Sequence, residues 1–319
     1  MLNERVLVTG AGGGVGQSVI KSLCDSNYTA VAYDSSPLAA GLYLTDDSWV
    51  GLNAQHPGYI EDVLNAVKKL DCQFIIPGHD VELFPLVKNK GLIQTLGVNL
   101  VASEMSLISL ADDKYETFKL LKSEGFDAPF TWLFKEFEWV DIPVVLKPRR
   151  GGARSKGVYI ANDKKAFDNY SNLVDPENTV VQEWCPGDEF TCGTLTFEDQ
   201  YLGSIPMKRE LRGGDTYKAF SIRNQTIDSI LNDMCILLKP KGPCNFQLKF
   251  HDNRVRVFEI NARFSGTTYL RKLCGFDEVI HLLDLITGQS TTTIQWREMS
   301  ILRYWSEVVV DNSEIKSRQ

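Results

Sequence analysis

The sequence lacks any apolar run of the ~18 residues that a membrane-spanning helix requires. It also lacks a CxxC pair, and its seven cysteines are dispersed along 319 residues. Such an odd, dispersed set favours reduced thiols, and the N-terminus opens directly on a strand, so we expect a cytoplasmic protein without a targeting segment. Basic residues are not in excess, since the net charge is −7. That charge argues against nucleic-acid binding but leaves small anionic ligands open, because these need only a local basic pocket.

What is present is typical of a folded chain, with 43% hydrophobic and 24% charged residues. At 319 residues the chain exceeds one ordinary small domain. Its patterns divide it at 1–105, 106–180 and 181–319. We predict an α/β Rossmann-like N-terminal domain followed by an α+β fold with a small and a large subdomain. The C-terminal part predicts a helix over 276–287 and a last strand over 301–310.

A glycine-rich turn links the first strand to the first helix. Residues 6–16 comprise a buried strand, this turn and the start of a helix, and the next strand ends at Asp34, which is the opening of a doubly wound sheet. Glycines let the backbone approach a ligand, and a helix N-terminus favours an anion. The turn also resembles the fingerprint of short-chain dehydrogenases, in which Asp34 would bind ribose. An NAD(P)-dependent oxidoreductase is therefore an alternative.

The oxidoreductase alternative needs a catalytic Tyr paired with a Lys four residues later. Tyr115 and Lys119 provide one such match. No later strands complete a nucleotide-binding sheet, and with 11 tyrosines one match is close to chance. The alternative is therefore the weaker one.

Polar residues follow the strand over 74–77. His79, Asp80 and Glu82 lie where a strand of an α/β sheet ends, which is where such sheets form their ligand crevice. They are candidates to face a substrate. The alternative is that Asp80 caps the next helix, with Glu82 in its first turn.

Two strand-like runs later in the chain carry oxygen-bearing side chains. Glu259 and Asn261 are two residues apart, so on a strand they share a face, and Arg263 continues on that face if the strand does. A polar turn over 251–254 predicts a hairpin that brings Gln247 opposite Glu259. Oxygen ligands suit Mg²⁺, which shares its shell with waters and substrate phosphates. A satisfied polar patch is the alternative.

A buried strand over 143–148 carries one charge, Lys147, and an unpaired buried charge is costly. Phosphate oxygens would serve as its partner. Basic residues and the glycines Gly151, Gly152 and Gly157 follow, and they predict a flexible cationic flap whose N–H groups can cradle a triphosphate. A solvated basic hairpin is the alternative.

A strand over 179–184 runs into a Pro-Gly turn, which we interpret as a hinge between subdomains where adenine could bind the backbone. Further on, a strand over 201–207 leads into a stretch over 208–218 that is rich in cations and glycine. Arg209 and Arg212 of that stretch could clamp a carboxylate in bidentate fashion. A solvated loop is the alternative.

Six segments in this order resemble the ATP-grasp superfamily, and most of all the carbamoyl-phosphate synthase large-subunit type, over residues 1 to about 290. They are Asp-Lys at 113–114, Val-Leu-Lys-Pro at 145–148, the glycine flap at 149–157, Gln-Glu-Trp-Cys-Pro-Gly-Asp-Glu-Phe at 182–190, Asn-Phe-Gln at 245–247 and Phe-Glu-Ile-Asn-Ala-Arg at 258–263. The resemblance implies an N-terminal pre-ATP-grasp domain that helps bind the other substrate. A duplicated second half and an amidotransferase region are absent, which argues against carbamoyl phosphate synthesis. Gln247 replaces the acid found in many ATP-grasp ligases, so the number of metal ions stays open.

The resemblance implies a ligase that uses ATP to activate a carboxylate as an acyl phosphate for attack by an amine, releasing ADP and phosphate. It implies ATP with Mg²⁺ or Mn²⁺, small-molecule carboxylate and amine partners, and it is compatible with a homodimer. A kinase-like or a non-catalytic ATP-binding protein is an alternative. The implied roles are Lys114, Lys147, Gly151, Gly152 and Gly157 for the phosphates, Gln182, Glu183, Trp184, Cys185 and Glu189 for adenosine, Gln247, Glu259 and Asn261 for the metal, and Arg263, Lys147, Arg209 and Arg212 for catalysis.

Overall fold

Three β-sheets follow one another along the chain in the computed structural model, which describes residues 4–152, 155–289, 294–304 and 306–318. The first is parallel, the second and third are antiparallel. None of the helices in these described ranges has the length and apolar character needed to cross a membrane.

The first sheet has five strands in the order β3-β2-β1-β4-β5. Its central strands are continuous apolar runs because helices cover both faces. The strand order reverses beside β1, so the carboxyl ends of β1 and β4 border a crevice. The elements are β1 (Glu4–Val8), α1 (Gly14–Leu23), β2 (Tyr28–Asp34), β3 (Asp47–Val50), α2 (Tyr59–Lys69), β4 (Phe74–Ile76), α3 (Asp80–Lys88), α4 (Lys90–Gln94) and β5 (Asn99–Leu100), with a 3₁₀ helix at Ala40–Tyr43. This confirms the predicted Rossmann-like domain.

The second sheet has four strands in the order β6-β9-β7-β8 and a small core of its own around Val144, Leu146, Ala161 and Val181. Its last strand ends at Glu183, so the limit predicted at 180 falls inside a strand, and we propose Glu183 as the boundary instead. The elements are α5 (Met105–Asp112), α6 (Lys114–Ser123), β6 (Thr131–Leu133), β7 (Val144–Pro148), β8 (Tyr159–Ala161), α7 (Lys164–Ser171) and β9 (Thr179–Glu183), with a 3₁₀ helix at Phe134–Glu136.

The third sheet has six strands in the order β14-β13-β10-β11-β12-β15. Its elements are β10 (Asp188–Phe197), β11 (Gln200–Arg212), β12 (Asp215–Ser221), α8 (Gln225–Leu238), β13 (Gly242–His251), β14 (Arg254–Asn261), α9 (Thr268–Leu273), α10 (Glu278–Ile286) and β15 (Ser300–Leu302), with a 3₁₀ helix at Asn312–Glu314. Asp252 and Asn253 turn the chain between β13 and β14 with φ of +47° and +59°, as in a type I′ hairpin. Gln247 consequently pairs with Glu259, as the sequence predicts.

Two predictions about this sheet are wrong. The strand predicted over 201–207 continues as β11 to Arg212, because the chain turns later, at Gly213 and Gly214 with φ of +59° and +82°. Arg209 and Arg212 therefore lie on a strand and not on a loop. The last strand spans three residues and not 301–310, because β12 offers a partner only over Lys218–Phe220.

The N-terminal domain and the large sheet share one apolar core. Helix α1 lies against α9 and α10, and Val19 and Ile20 of α1 belong to the same buried cluster as Leu270 and Val279. The small sheet contributes nothing to that cluster within the residues that the structure describes. The small sheet is therefore the more independent unit.

Arg271 of α9 is fully buried beneath the large sheet. Its Nη1 donates to Glu278 Oε1 at 2.8 Å, and its Nη2 donates to Ser265 Oγ at 2.9 Å and to Asn245 Oδ1. Because each partner is itself buried, this network fixes the loop after β14 against the sheet.

Gly193 of β10 leaves room for that guanidinium. A Cβ at Gly193 would lie 2.3–2.6 Å from the guanidinium atoms of Arg271, so we expect Gly193→Ala to lower the free energy of unfolding by about 1–3 kcal/mol. The control is Gly91→Ala in α4, where nothing lies within 4 Å of the added Cβ and where alanine should be neutral or stabilising by up to about 1 kcal/mol. Urea unfolding measures both, and equal effects would contradict the steric explanation.

Candidate active site

A cleft of about 430 Å³ lies between the small and the large sheet. Most of the residues that the sequence marks for ATP line it, so the structure brings them together. The marked residues along its walls are Lys114, Lys147, Gly151, Gly152, Gln182, Glu183, Trp184, Cys185, Glu189, Arg209, Gln247 and Glu259. Gly157 lies in the flap between two residues that line the cleft, whereas residues 153 and 154 of the predicted flap fall outside the described residues.

Lys147 of β7 is buried, with 6% of its surface exposed. Its Nζ donates to the carbonyl of Phe258 at 3.2 Å and lies 5.3 Å from the centre of the Phe258 ring. Burial lowers the pKa of Lys147 to about 8, and Glu259 opposes this shift. The strand thus presents a cation whose charge is poorly compensated until an anion arrives.

The base of the glycine flap is fixed to helix α6 by Asp113. This buried carboxylate accepts the N–H groups of Tyr115 and Glu116 at the start of the helix and also binds the guanidinium groups of Arg149 and Arg150. Burial acts to raise the pKa of Asp113, but these donors hold it below its usual value. Lys114 comes next, and its Nζ donates to the carbonyl of Gly151 at 3.0 Å. The flap therefore starts from a rigid base.

Gln247, Glu259 and Asn261 meet on one face of the β13–β14 hairpin. The carboxamides of Gln247 and Asn261 each donate to Glu259 Oε1 at 3.1 Å. Among the described residues no group of three His, Cys, Asp or Glu side chains is arranged to hold a metal ion. One carboxylate and two amide oxygens fit Mg²⁺ when phosphate oxygens and water supply the other ligands, and they do not form a cage made of protein alone.

Arg263 lies beyond the end of β14, so the condition under which the sequence placed it on the face of Glu259 and Asn261 is not met. Its guanidinium is held by Asp80, at the start of α3 in the N-terminal domain: Nη2 donates to Oδ2 at 2.6 Å and Nε donates to Oδ1. Nη2 also donates to Asn261 Oδ1 at 3.2 Å, and Nη1 to the carbonyl of Phe264 at 2.8 Å. Burial opposes ionisation of Asp80, yet Arg263 lowers its pKa. The N-terminal domain thereby orients Arg263.

The two predicted adenosine carboxylates are both paired in the structure. Glu183 binds the guanidinium of Arg256 with both oxygens, at 2.8 and 2.6 Å, and accepts the N–H of Phe130. Its side chain is therefore engaged in holding β14 against the hinge. Glu189 binds Arg209 at 2.6 Å and Lys249 at 3.2 Å. Burial alone would raise the pKa of Glu189, but these two cations lower it.

Arg209 and Arg212 do not form the predicted clamp. Arg209 donates to Glu189 and, at 2.7 Å, to Gln247 Oε1 in the middle of the site. Arg212 lies three residues along the strand, where its guanidinium covers the ring of Tyr217 at 5.3 Å. Because β11 continues through both positions, the two side chains are carried apart. Of the two, only Arg209 lines a described cavity.

A second cavity of about 460 Å³ lies between the N-terminal domain and the large sheet. It shares Gly152, Arg209, Gly214, Gln247 and Glu259 with the first cleft, so the two cavities adjoin at these residues. The other residues that line it include residues 12–15, Gly78, His79, Asp80, Thr191, Asn245, Asn261, Arg263, Ser265, Gly266, Thr267 and Arg303. Thr191 and Arg303 lie in no motif, so the sequence alone does not predict that they line a cavity.

The glycine turn is closed by Asp34, the residue that would bind ribose in a dehydrogenase. Asp34 accepts the N–H of Gly12 at 2.8 Å and that of Ser36 at 2.9 Å. Lys119, of the Tyr-Lys pair that a dehydrogenase needs, forms an ion pair with Glu116 at 3.0 Å on the surface of α6. These residues have structural partners, which removes the support for the dehydrogenase alternative.

Comparisons with known proteins agree with this arrangement. A model of the ATP-grasp domain matches residues 111–267, and a model of the PylC-like N-terminal domain matches residues 6–101. The D-alanine–D-alanine ligase A of Bacillus cereus is 30% identical over 128 residues, which are 36% of this chain and 42% of that protein. The carbamoyl phosphate synthase large chain of Pseudothermotoga lettingae is 22% identical over 236 residues, which are 66% of this chain and 20% of that protein.

Among solved structures, N5-carboxyaminoimidazole synthetase from Staphylococcus aureus, complexed with ADP, superimposes with a TM-score of 0.76. It is 16% identical, and the match covers 95% of this chain and 83% of that one, so the likeness shows the fold. The chain spans about half the length of the curated ligases that it matches first. The predicted ATP-grasp fold is confirmed.

Lys147→Met tests the poorly compensated charge in β7. Burial lowers the pKa of Lys147 from 10.5 to about 8, so the unfolded chain binds this proton more tightly, and the stability of the wild type falls as pH falls from 10.5 to 8. At about 1.4 kcal/mol per pH unit, the free energy of unfolding of the variant relative to the wild type should rise by about 3 kcal/mol as the pH falls from 10.5 to 8. Urea unfolding without nucleotide measures this. Lys122→Met, at an exposed position of α6, is the reference, and a difference that does not change with pH would contradict the prediction.

Asp80→Ala tests the ion pair between the domains. Breaking a buried pair costs about 3–5 kcal/mol, and because Asp80 is partly exposed we expect about 2–3 kcal/mol. The double variant Asp80→Ala/Arg263→Ala should recover part of this loss, since no charge is left without a partner. Urea unfolding of the four proteins gives the coupling free energy. The more exposed pair of Arg5 with Asp47 is the control, with an expected coupling below about 1 kcal/mol, and strictly additive losses at Asp80 and Arg263 would contradict the pairing.

Proposed function

We propose that this chain, which belongs to the ATP-grasp family, is an ATP-dependent ligase that activates a carboxylate as an acyl phosphate for attack by an amine. The observation that supports this most is that two cavities adjoin at Arg209, Gln247 and Glu259, and that the first of them has a buried lysine and a glycine flap. A phosphoryl group can pass between two reactants that are held in adjoining cavities.

ATP would occupy the first cleft. Lys114, Lys147 and the flap glycines Gly151, Gly152 and Gly157 would hold its phosphates. Adenine would lie at the hinge formed by Gln182, Glu183, Trp184 and Cys185, and Glu189 would accept the ribose hydroxyls. Support comes from the common position of these residues along one cleft. It also comes from Lys147, whose ammonium group donates, among the described residues, only to the neutral carbonyl of Phe258 and would bind an anionic phosphate more strongly.

Gln247, Glu259 and Asn261 would hold Mg²⁺, or Mn²⁺ in its place, together with oxygens of the ATP phosphates. The metal would neutralise part of the phosphate charge. The oxygen-bearing chemistry of these three side chains and their common position on one face of the β13–β14 hairpin support this assignment. A single carboxylate leaves the bound metal with a net positive charge toward the phosphates, which Lys147 and Arg263 would supplement.

The reaction would proceed in two displacements. A carboxylate oxygen of the substrate attacks the γ-phosphorus while the bond to the β,γ-bridging oxygen breaks, and ADP leaves with that electron pair. Lys147 and Arg263 would stabilise the charge on the transferring group, with Arg263 held in place by Asp80. The amine nitrogen then attacks the acyl carbon, the bond from carbon to the phosphate oxygen breaks, and phosphate leaves while the nitrogen loses a proton to solvent. Neither step requires a protein nucleophile.

The partners would be small-molecule carboxylates and amines, as the names of the matched ligases suggest. We also propose a cytoplasmic location, supported by seven cysteines that are all unpaired. A homodimer stays a prediction that the mass of the protein in solution can test.

A screen of ADP and phosphate release tests the proposed function. Intact protein with MgATP is offered pairs of carboxylates and amines, and we expect release only when both members of the right pair are present. Glu259→Gln removes the only carboxylate of the hairpin set and should lower turnover more than about 100-fold, because it weakens charge stabilisation in the transition state. Glu124→Gln, at an exposed helix end, is the control and should retain turnover.

Other outcomes of the screen would favour other functions. Release of ADP with a carboxylate alone, together with a stable phosphorylated product, would indicate a kinase-like enzyme. Binding of MgATP without turnover on any pair would indicate a non-catalytic nucleotide-binding protein. Full activity of Glu259→Gln would exclude the metal assignment.

A further inference from the structure

Arg303 differs from the other arginines at the two cavities in its partners. The two others in the described part of the chain, Arg209 and Arg263, are each paired with a carboxylate, Arg209 with Glu189 and Arg263 with Asp80. Arg303 lines the second cavity, but its Nη1 donates to the carbonyl of Thr216 at 3.1 Å and its Nη2 to the carbonyl of Gly266. Across the described ranges no carboxylate lies within ion-pair distance of Arg303. Its guanidinium is thus fixed by neutral groups.

The charge of Arg303 is poorly compensated. Burial lowers the pKa of Arg303, and Asp215 opposes this shift without cancelling it. Carbonyl dipoles orient the guanidinium but do not neutralise it. The backbone holds its position as well, since Arg303 follows β15 and donates its N–H to the carbonyl of Tyr217. The fold therefore keeps a cation at a fixed place on the cavity wall.

A second positive feature borders the same corner. Gly266, which accepts the guanidinium of Arg303, also accepts the hydroxyl of Ser18 in α1 at 3.5 Å, and a Cβ on Gly266 would lie 3.9 Å from the carbonyl of Gly14. The ten-residue helix α1 has no side-chain cap and no acidic residue in its first turn. Gly14 and Val15 at its N-terminus line the second cavity together with Arg303, so both features favour an anion there.

We propose that the second cavity binds its substrate through an anionic group, a carboxylate or a phosphate, that pairs with Arg303 beside the N-terminus of α1. This rests on the proposed function, because it names the substrate class of that same site. Arg303 lines the second cavity alone, whereas Arg209 and Glu259 line both cavities. The anion that pairs with Arg303 therefore belongs to the substrate and not to ATP.

Thermal unfolding in the presence of small probes tests this inference without knowledge of the natural substrate. The probes are succinate, its neutral diamide and inorganic phosphate, each added with MgATP. We expect succinate or phosphate to raise the unfolding temperature of the wild type, and the diamide to have no effect. The probe that stabilises more identifies carboxylate or phosphate as the preferred anion. In Arg303→Gln the half-saturating concentration should rise about tenfold or more, because a charge-assisted pair is lost. Arg303→Lys should retain part of the affinity.

Two comparisons make the result specific. Arg297→Gln removes the same charge at an exposed position of the same segment and should behave as the wild type. The shift produced by MgATP alone reports the first cleft, so its absence would count against the proposed function and not against the anion site. Equal stabilisation of Arg303→Gln and wild type would overturn the inference, and so would a wild type that none of the anions stabilises.

Discussion

The ion pair of Asp80 with Arg263 holds the two halves of the site together. Its members are 183 residues apart in the chain, one at the carboxyl end of the parallel sheet and the other just beyond β14. Because Arg263 also donates to Asn261, the pair connects the N-terminal domain to the hairpin that carries Glu259. A charge this enclosed is tolerated when its partner is in place, so the geometry of the site depends on the two domains staying packed. The N-terminal domain is in this sense part of the site and not an appendage.

The parts of the site that the sequence could predict depend on local rules. Alternation along two strands and a polar turn between them are sufficient to set Gln247 opposite Glu259. A single charge in an apolar strand likewise marks Lys147 as a residue in need of an anionic partner. The glycine turn predicts the first βαβ unit because only a tight turn fits between that strand and that helix. These features would form in almost any packing of the three sheets.

The parts that the sequence could not predict depend on how the sheets are stacked. Nothing near Asp80 indicates that it meets Arg263, and nothing near Arg303 indicates a cavity. The cations and glycines over 208–218 are typical of a loop, but the exposed face of a long hairpin accepts the same residues. For this reason the sequence predicts a loop at Arg212, which lies on β11. The apolar run before Val310 resembles a strand, but no strand among the described residues pairs with it, and Val309 is 95% exposed.

The small sheet has a core of its own, so its local stability can differ from the stability of the rest of the protein. A unit with few buried side chains in common with the rest can open without unfolding the whole chain, so its amide protons should exchange by sub-global opening. A nucleotide that contacts both sheets shifts that equilibrium toward the closed form. The apparent affinity for the nucleotide is then lower than the affinity of the closed form, because only the closed fraction binds. Substitutions far from the cleft that favour the open form of the small sheet therefore weaken nucleotide binding without contacting the nucleotide.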